Sequence, residues 1–422
     1  MCWSKWCRTF IGSPRAACCL PDATETDSQT GVWLMRLAKR VEGLKAEGAY
    51  QVLTRAKALE REGREIIHLE IGQPDFDTVP IAALAGVRAI TTGLTRYNPP
   101  SGIPVLRAAI AEDAGARRGL RINREQVVVA PGAKPIIFFA MLALVEPGDE
   151  VIYPNPGFPT YESVIGFLGA VPVPISLPEE HGFSFDMEVF SKRVSARAKL
   201  IILNSPGNPT GSIIPRADLG RIAEAAVEHD CWVLSDEIYS RMLYDERKHI
   251  SIATFPGMQQ RTVIVDGFSK TYAMTGWRLG YGIMPVDLAQ AMDRLLTNSV
   301  GCTATFTQHA GLEAITGRQD DVDGMVTEFE RRRNEIVDGL NAIPNVTCQK
   351  PEGAFYVFPN IKAFGKTSEE IASYLLDVAG VAVLPGTAFG SYGEGYLRLS
   401  YANSLENIER ALDWMAEALS HL

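Results

Sequence analysis

The chain contains no run approaching about 18 consecutive apolar residues, which excludes a simple helical membrane span. It has no basic excess. Its 41 Lys and Arg stand against 50 Asp and Glu, a net charge of −9, and a surface of that sign argues against nucleic acid as the main partner, because such affinity rests on neutralising phosphates. Histidine is scarce at six, no His-Glu-x-x-His occurs, and none of the seven cysteines has zinc-ligand spacing, so no metal site is expected. Scattered thiols suit a reducing compartment, and a cytoplasmic location is expected. No Gly-x-Gly-x-x-Gly follows an apolar run. In Gly267-Phe-Ser-Lys-Thr271 a serine, Ser269, stands where a P-loop needs glycine before its lysine. What is present is ordinary for a folded chain: 46% hydrophobic and 22% charged residues in a length of 422, enough for two or three domains.

Residues 1–34 read differently from the rest. Cys2, Cys7, Cys18 and Cys19 precede a polar run from Asp22 to Thr30. No apolar h-region is present, so a secretory signal is not expected. Lys5, Arg8 and Arg15 without a neighbouring acid leave a transit peptide open, but the better reading is a disordered tail or an upstream start with the true start at Met35. From there the pattern turns helical, in Arg36–Arg40 and then in Val52–Glu60.

From residue 66 short apolar runs alternate with longer helical patterns. Strands are expected at Ile66–Ile71, Gln126–Ala130, Glu150–Tyr153, Val171–Ile175, Leu200–Asn204, Cys231–Ser235 and Thr262–Asp266. Several are unbroken β-branched runs, as in strands buried on both faces. Helices are expected at Pro104–Arg117, Pro135–Val145, Pro215–Glu228, Pro285–Leu295 and Val322–Leu340, four of them with proline in the first turn. The alternation predicts an α/β fold with a mostly parallel sheet sandwiched by helices. The charged helical stretch after 310, the β-like Gly353–Phe358 and a βα-like end predict a smaller α+β domain. The expected division is an arm and part of the small domain over 35–75, a large domain over 76–310 and the small domain over 311–422.

Several strand ends carry reactive groups, and in open α/β sheets ligands bind there. Asp236 ends one strand; it is either a helix cap or an acid facing a cationic ring nitrogen. Lys270 follows another strand in a turn of small residues, where it is either a solvated charge or an amine able to form an imine. Arg278, among Gly and Trp, suits an anion such as phosphate. The turn at Gly132-Ala-Lys134 opens a helix, whose first N–H groups cradle phosphate well; an ordinary βα loop is the plain alternative. Asn208, between Gly and Pro, is either a turn residue or an amide facing a ligand. In Tyr396-Leu-Arg-Leu-Ser-Tyr401 the alternation points Arg398 the same way as Tyr396 and Ser400, where it could fork a carboxylate.

Taken together and in this order, the segments Ile71–Asp77, Tyr97–Gly102, Asn208–Gly211, Ser269-Lys270, Gly276-Trp-Arg278 and Arg398–Tyr401 resemble those of the class I/II aminotransferases, the fold-type I pyridoxal-phosphate enzymes. Within these, the chain looks most like the bacterial-type aspartate and prephenate subgroup. The resemblance implies an enzyme using pyridoxal 5'-phosphate and exchanging an amino group between an amino acid and a 2-oxo acid, with 2-oxoglutarate as acceptor. By it, Lys270 is the Schiff-base lysine and proton shuttle, Asp236 pairs with the ring nitrogen, and Tyr239 and Asn208 hydrogen-bond the ring hydroxyl. Arg278, the Gly132-Ala133-Lys134 turn and Ser269 hold the phosphate, and Phe158 stacks on the ring. Tyr97 reaches the phosphate of a partner subunit, which implies a homodimer. Arg398 takes the substrate α-carboxylate, helped by Gly72 and Asn208, and Lys134 matches a position that reads a second carboxylate. Two departures stand out. Gly267 replaces a serine or threonine found in many relatives three residues before the lysine, and Gln51 falls where dicarboxylate-using relatives tend to have threonine. An aspartate-type, aromatic, alanine or broad range is thus open, and a lyase or synthase on the same fold is the alternative reaction.

Overall fold

A computed structural model of the chain describes residues 38–44 and 48–422. The expected tail over 1–34 and the start at Met35 lie outside the described residues.

The strands, in chain order, are β1 (Ile67–His68), β2 (Val127–Ala130), β3 (Glu150–Asn155), β4 (Val171–Ser176), β5 (Ala198–Asn204), β6 (Trp232–Asp236), β7 (Thr262–Gly267), β8 (Gly280–Ile283), β9 (Tyr356–Val357), β10 (Val381–Ala382), β11 (Leu384–Pro385) and β12 (Leu397–Ser400). Seven form one sheet in the order β2-β8-β7-β6-β5-β3-β4. Only β8 runs antiparallel to its neighbours in this sheet; the other adjacent pairs are parallel. The expected mostly parallel sheet is therefore found.

Alternation sends neighbouring residues of each strand to opposite faces. Val128 and Ala130 of β2, with Leu200 and Ile202 of β5, pack on the helices Ala133–Leu144, Thr160–Phe167 and Val286–Thr297. Val127, Val129 and Ile264 turn the other way, toward Pro104–Arg118 and Thr305–Thr316. Ile201 and Val233 meet Arg216–Glu228 on that side. The sheet is thus buried on both faces, which is why its strands read as continuous apolar runs.

Three expectations need correction. Ile66–Ile71 does not join the large sheet: only Ile67–His68 is strand, and it pairs in parallel with β10. Beyond it the backbone divides between partners, with Leu69 N–H bonding Ala382 and the Leu69 carbonyl accepting from Ser400. The two helical stretches expected after Met35 have other bounds, Lys39–Glu42 and Gly48–Arg61 among the described residues, the first capped by Gly43. Pro104 does begin its helix, but Pro215 and Pro285 are N-caps lying just before theirs. The sequence reading missed β8 altogether, because glycines at 280 and 282 dilute its strand signal. A Cβ at Gly282 would come within 2.6 Å of Ile136, so close packing accounts for the glycine.

A second core gathers Ile67, Tyr356, Val357, Leu397 and Leu399 against the helices Asp320–Ala342, Ser368–Tyr374 and Leu405–Leu419. The last residues of β5, β6 and β7, which are Asn204, Asp236 and Gly267, lie along one edge of the large sheet and face this second core.

Candidate active site

A cleft of about 1290 Å³ opens at that edge. Gly72, Ala133, Lys134, Phe158, Asn208, Asp236, Tyr239, Ser269, Lys270, Arg278 and Arg398 line it, so residues more than 300 positions apart in sequence are brought together. Gly132 sits one residue behind the lining at Ala133. Tyr97 does not line the cleft of its own chain; it projects from the surface, 99% exposed.

Asp236 ends β6 and is buried. Its Oδ2 accepts from the Tyr161 hydroxyl at 2.7 Å, and its Oδ1 from the Ile238 N–H at 3.3 Å. Burial pushes this carboxyl up to about 6, with Asp266 and Glu237 adding repulsion and the Tyr161 bond pulling the other way. A carboxyl so placed gains most from a cationic partner in the cleft.

Glu237 and Asp266, which flank it, are compensated from below. Arg118 donates to Glu237 at 2.7 Å and to Asp266 at 2.8 Å, all three buried. Burial disfavours the Glu237 charge, yet His249 and Arg118 hold that carboxyl well below the ordinary range. The polar floor of the site is therefore charged and paired around one unpaired acid.

Lys270 lies in the short helix Phe268–Thr271 directly after β7. Its ammonium donates to the Gly72 carbonyl and lies 5.5 Å from the centre of the Phe355 ring. Three residues before it, a Cβ at Gly267 would stand 3.0 Å from Gly280 and 3.2 Å from the Leu279 carbonyl, so a side chain there would need β8 to give by a few tenths of an ångström.

Arg278 and the helix start at Ala133 meet across the cleft. A Cβ at Gly132 would fall 2.1 Å from the Arg278 guanidinium, and Gly132 adopts φ +99°, which favours glycine. A guanidinium beside the first N–H groups of a helix makes an anion cradle. Asn208 is held by Asn204, whose Oδ1 accepts the Asn208 N–H at 2.8 Å and whose amide donates to the Asp236 carbonyl. The register Asn204↔Asp236 across β5 and β6 places these loops side by side.

Arg398 of β12 is buried, with its guanidinium carbon 4.7 Å from the centre of the Tyr356 ring and 5.2 Å from that of Phe389. One of its N–H groups reaches the Glu70 carbonyl, while its Nε has no hydrogen-bond partner among the described residues. Lys134 is exposed in the cleft, 5.3 Å from the centre of the Phe158 ring. Gln51 does not line the cleft; its neighbours Tyr50 and Leu53 do.

The sequence reading missed Tyr161 and Tyr356. Tyr161 follows Phe158 by three positions at the start of Thr160–Phe167, a spacing that could have suggested it. Tyr356 sits in the β-like Gly353–Phe358, where nothing local marks it as polar-facing.

The family described as Aminotransferase class I and II matches over residues 64–414. A probable aspartate/prephenate aminotransferase of Aquifex aeolicus is 39% identical over 92% of this chain and 99% of its own length. An aromatic-amino-acid aminotransferase 2 of Thermococcus litoralis is 38% identical over 91% of this chain and 98% of its own. The crystal structure of an aspartate aminotransferase from Rhizobium meliloti superposes with a TM-score of 0.88 at 36% identity, covering 92% of this chain and 99% of that one.

Proposed function

This chain belongs to the family of class I and II aminotransferases, and from that premise we propose how its own residues divide the work and which substrates they take. It is a pyridoxal-phosphate-dependent aminotransferase of fold type I, exchanging an amino group between an amino acid and a 2-oxo acid. When bound, the cofactor supplies an electron sink and a carbonyl that takes up and releases the amino group.

The residues present fit that group. The Oδ1 of Asn208 is buried without a hydrogen-bond partner among the described residues, as is Arg398 Nε, and the missing Cβ of Gly132 lets the Arg278 guanidinium sit against the helix start. On our reading Arg278, Ser269 and the Gly132-Ala133-Lys134 turn hold the phosphate, Phe158 stacks on the ring, and Tyr239 and Asn208 bind the ring oxygen. Asp236 pairs with the protonated ring nitrogen, which relieves the cost of its own burial. Arg398 grips the substrate α-carboxylate, with Gly72 and Asn208 beside it. Lys270, opposite, moves the proton at the substrate α-carbon. One observation carries this reading: a buried unpaired acid, an amine and a buried guanidinium converge on one cleft.

For substrate we propose an aspartate-type range extending to aromatic donors, with 2-oxoglutarate as acceptor. Lys134, exposed in the cleft over Phe158, offers a charge to a second carboxylate and an aromatic face to a ring. The homodimer belongs to the same proposal, with Tyr97 completing the partner's phosphate site. So does the division into an arm over 35–75, a large domain over 76–310 and a small one over 311–422, and so does a cytoplasmic location. No helix among the described residues is long and apolar enough to cross a membrane. A panel of amino donors with 2-oxoglutarate tests the range by glutamate formed. Aspartate and aromatic donors are expected to lead. Glutamate from neither class overturns the range, and release of pyruvate with ammonia or thiol would point to a lyase.

A further inference from the structure

Strand pairing places two polar side chains on one face. Tyr356 of β9 stands opposite Ser400 of β12 in the antiparallel register. Alternation along β12 brings Arg398 to that same face two positions earlier, within diagonal reach. The Arg398 side chain accordingly lies over the Tyr356 ring, its guanidinium carbon 4.7 Å from the ring centre. The Tyr356 hydroxyl is in turn 2.7 Å from that of Tyr239. Both phenols are buried yet line the cleft. Gly72 makes the room: a Cβ there would stand 2.2 Å from the Tyr356 hydroxyl oxygen.

Charge gives this pair of hydroxyls a direction. Each phenol has one proton and can also accept. The Arg398 cation beside Tyr356 repels the Tyr356 hydroxyl proton, which favours turning it toward Tyr239 Oη. Tyr239, accepting from Tyr356, keeps its own proton for the cleft. In the reverse order the Tyr239 proton would be spent on Tyr356, and only a lone pair would face the cleft. Burial, then Tyr356, pushes the Tyr239 phenol well above its ordinary range, so it keeps that proton at neutral pH.

We propose that Tyr356 is a positioning residue that turns the Tyr239 hydroxyl into a donor toward the ring oxygen of the cofactor, its own proton directed by the charge of Arg398. The proposal rests on the roles given above to Tyr239 and Arg398. Hydroxyls bonded in series polarise one another, so losing the first hydroxyl weakens the bond made by the second.

The test is the pH midpoint of the visible absorption of the resting holoenzyme, compared among the parent protein, Tyr356→Phe, Tyr239→Phe and the double variant. A donor to the ring oxygen stabilises its anionic form, so losing that donor raises the midpoint. Tyr239→Phe is expected to raise it. Tyr356→Phe keeps a ring under Arg398 and is expected to raise it less, by about half a pH unit. The double variant is expected to match Tyr239→Phe, because Tyr356 acts through Tyr239. A midpoint unmoved in Tyr356→Phe while Tyr239→Phe shifts overturns the proposal, as does an additive double variant. If Tyr239→Phe itself moves nothing, the assignment of Tyr239 is wrong and the proposal falls with it. Should Tyr356→Phe melt markedly below the parent, 3-fluorotyrosine at 356 serves instead. It is a stronger donor of nearly the same shape, expected to lower the midpoint, and an unmoved midpoint there overturns the proposal too.

Discussion

The Tyr161 hydroxyl donates to Oδ2 of Asp236 across 2.7 Å, the only side-chain hydrogen bond that this buried carboxyl receives among the described residues. One such bond does not offset the loss of water, and the acid is left with its proton affinity raised to about 6 from an ordinary 3.8. In the cofactor-free protein the native state then binds more protons than the unfolded chain between about pH 4 and pH 6, so this group lowers stability as pH rises through that window. Asp236→Asn removes the titrating carboxyl and with it this pH dependence. The stability difference between Asp236→Asn and the parent, both without cofactor, is expected to grow toward neutral pH by roughly 3 kcal/mol. Urea unfolding at pH 4 and pH 7 measures it. A flat difference refutes the raised affinity.

Lys270→Ala is expected to abolish transamination while leaving the fold intact, because its ammonium is the amine that donates to the Gly72 carbonyl in the cleft. Borohydride reduction with the cofactor should leave a covalent adduct on the parent protein and none on the variant. Peptide mapping of the adduct to another lysine would contradict the assignment.

Lys134 separates two carboxylates. Its ammonium is exposed in the cleft, 5.3 Å from the Phe158 ring centre, whereas Arg398 is buried. A charge-assisted hydrogen bond is worth roughly 1.5–3 kcal/mol, so Lys134→Ala is expected to raise the KM for aspartate and 2-oxoglutarate about tenfold or more. For aromatic monocarboxylate donors the change should be under about threefold. Equal losses for both classes would show that Lys134 serves the phosphate alone.

Much of this site was legible because it follows a backbone rule. Asp236 and Lys270 sit where apolar runs stop, and a run buried on both faces stops at the sheet edge. Arg398 was legible from alternation along one strand. Tyr161 and Tyr356 were not, because their roles exist only across gaps of 75 and 117 residues to Asp236 and Tyr239. Nothing in a local pattern separates a core tyrosine from one whose hydroxyl meets a distant acid. β8 was hidden for a related reason: Gly280 and Gly282 are set by the close approach of the Gly132 turn and Ile136, not by strand propensity.

Arg118 holds the floor of the site together. It bridges Glu237 and Asp266 while its own side chain is 1% exposed. Removing one partner of a buried ion pair leaves an uncompensated charge, at a cost of about 3–5 kcal/mol. Arg118→Leu is expected to lose that much in denaturant unfolding at pH 7. Part of the loss should return at lower pH, because Glu237, buried and without Arg118, takes up a proton more readily. A loss below about 1 kcal/mol would class the cluster with surface pairs.

Tyr97 gives the dimer its test. It stands 99% exposed, and Leu84, Val87 and Val105 are large apolar side chains that are also exposed in the single chain. Apolar surface of this kind marks a contact with another molecule. If that molecule is a second copy and Tyr97 completes its phosphate site, the two defects of a mixed dimer fall in the same site. Tyr97→Ala in one subunit and Lys270→Ala in the other place both lesions in one site and leave the second intact. Each variant alone is expected to be strongly impaired, and co-expressed heterodimers should recover about half the activity of the parent dimer. A heterodimer no more active than the sum of the two variants would place Tyr97 outside the active site.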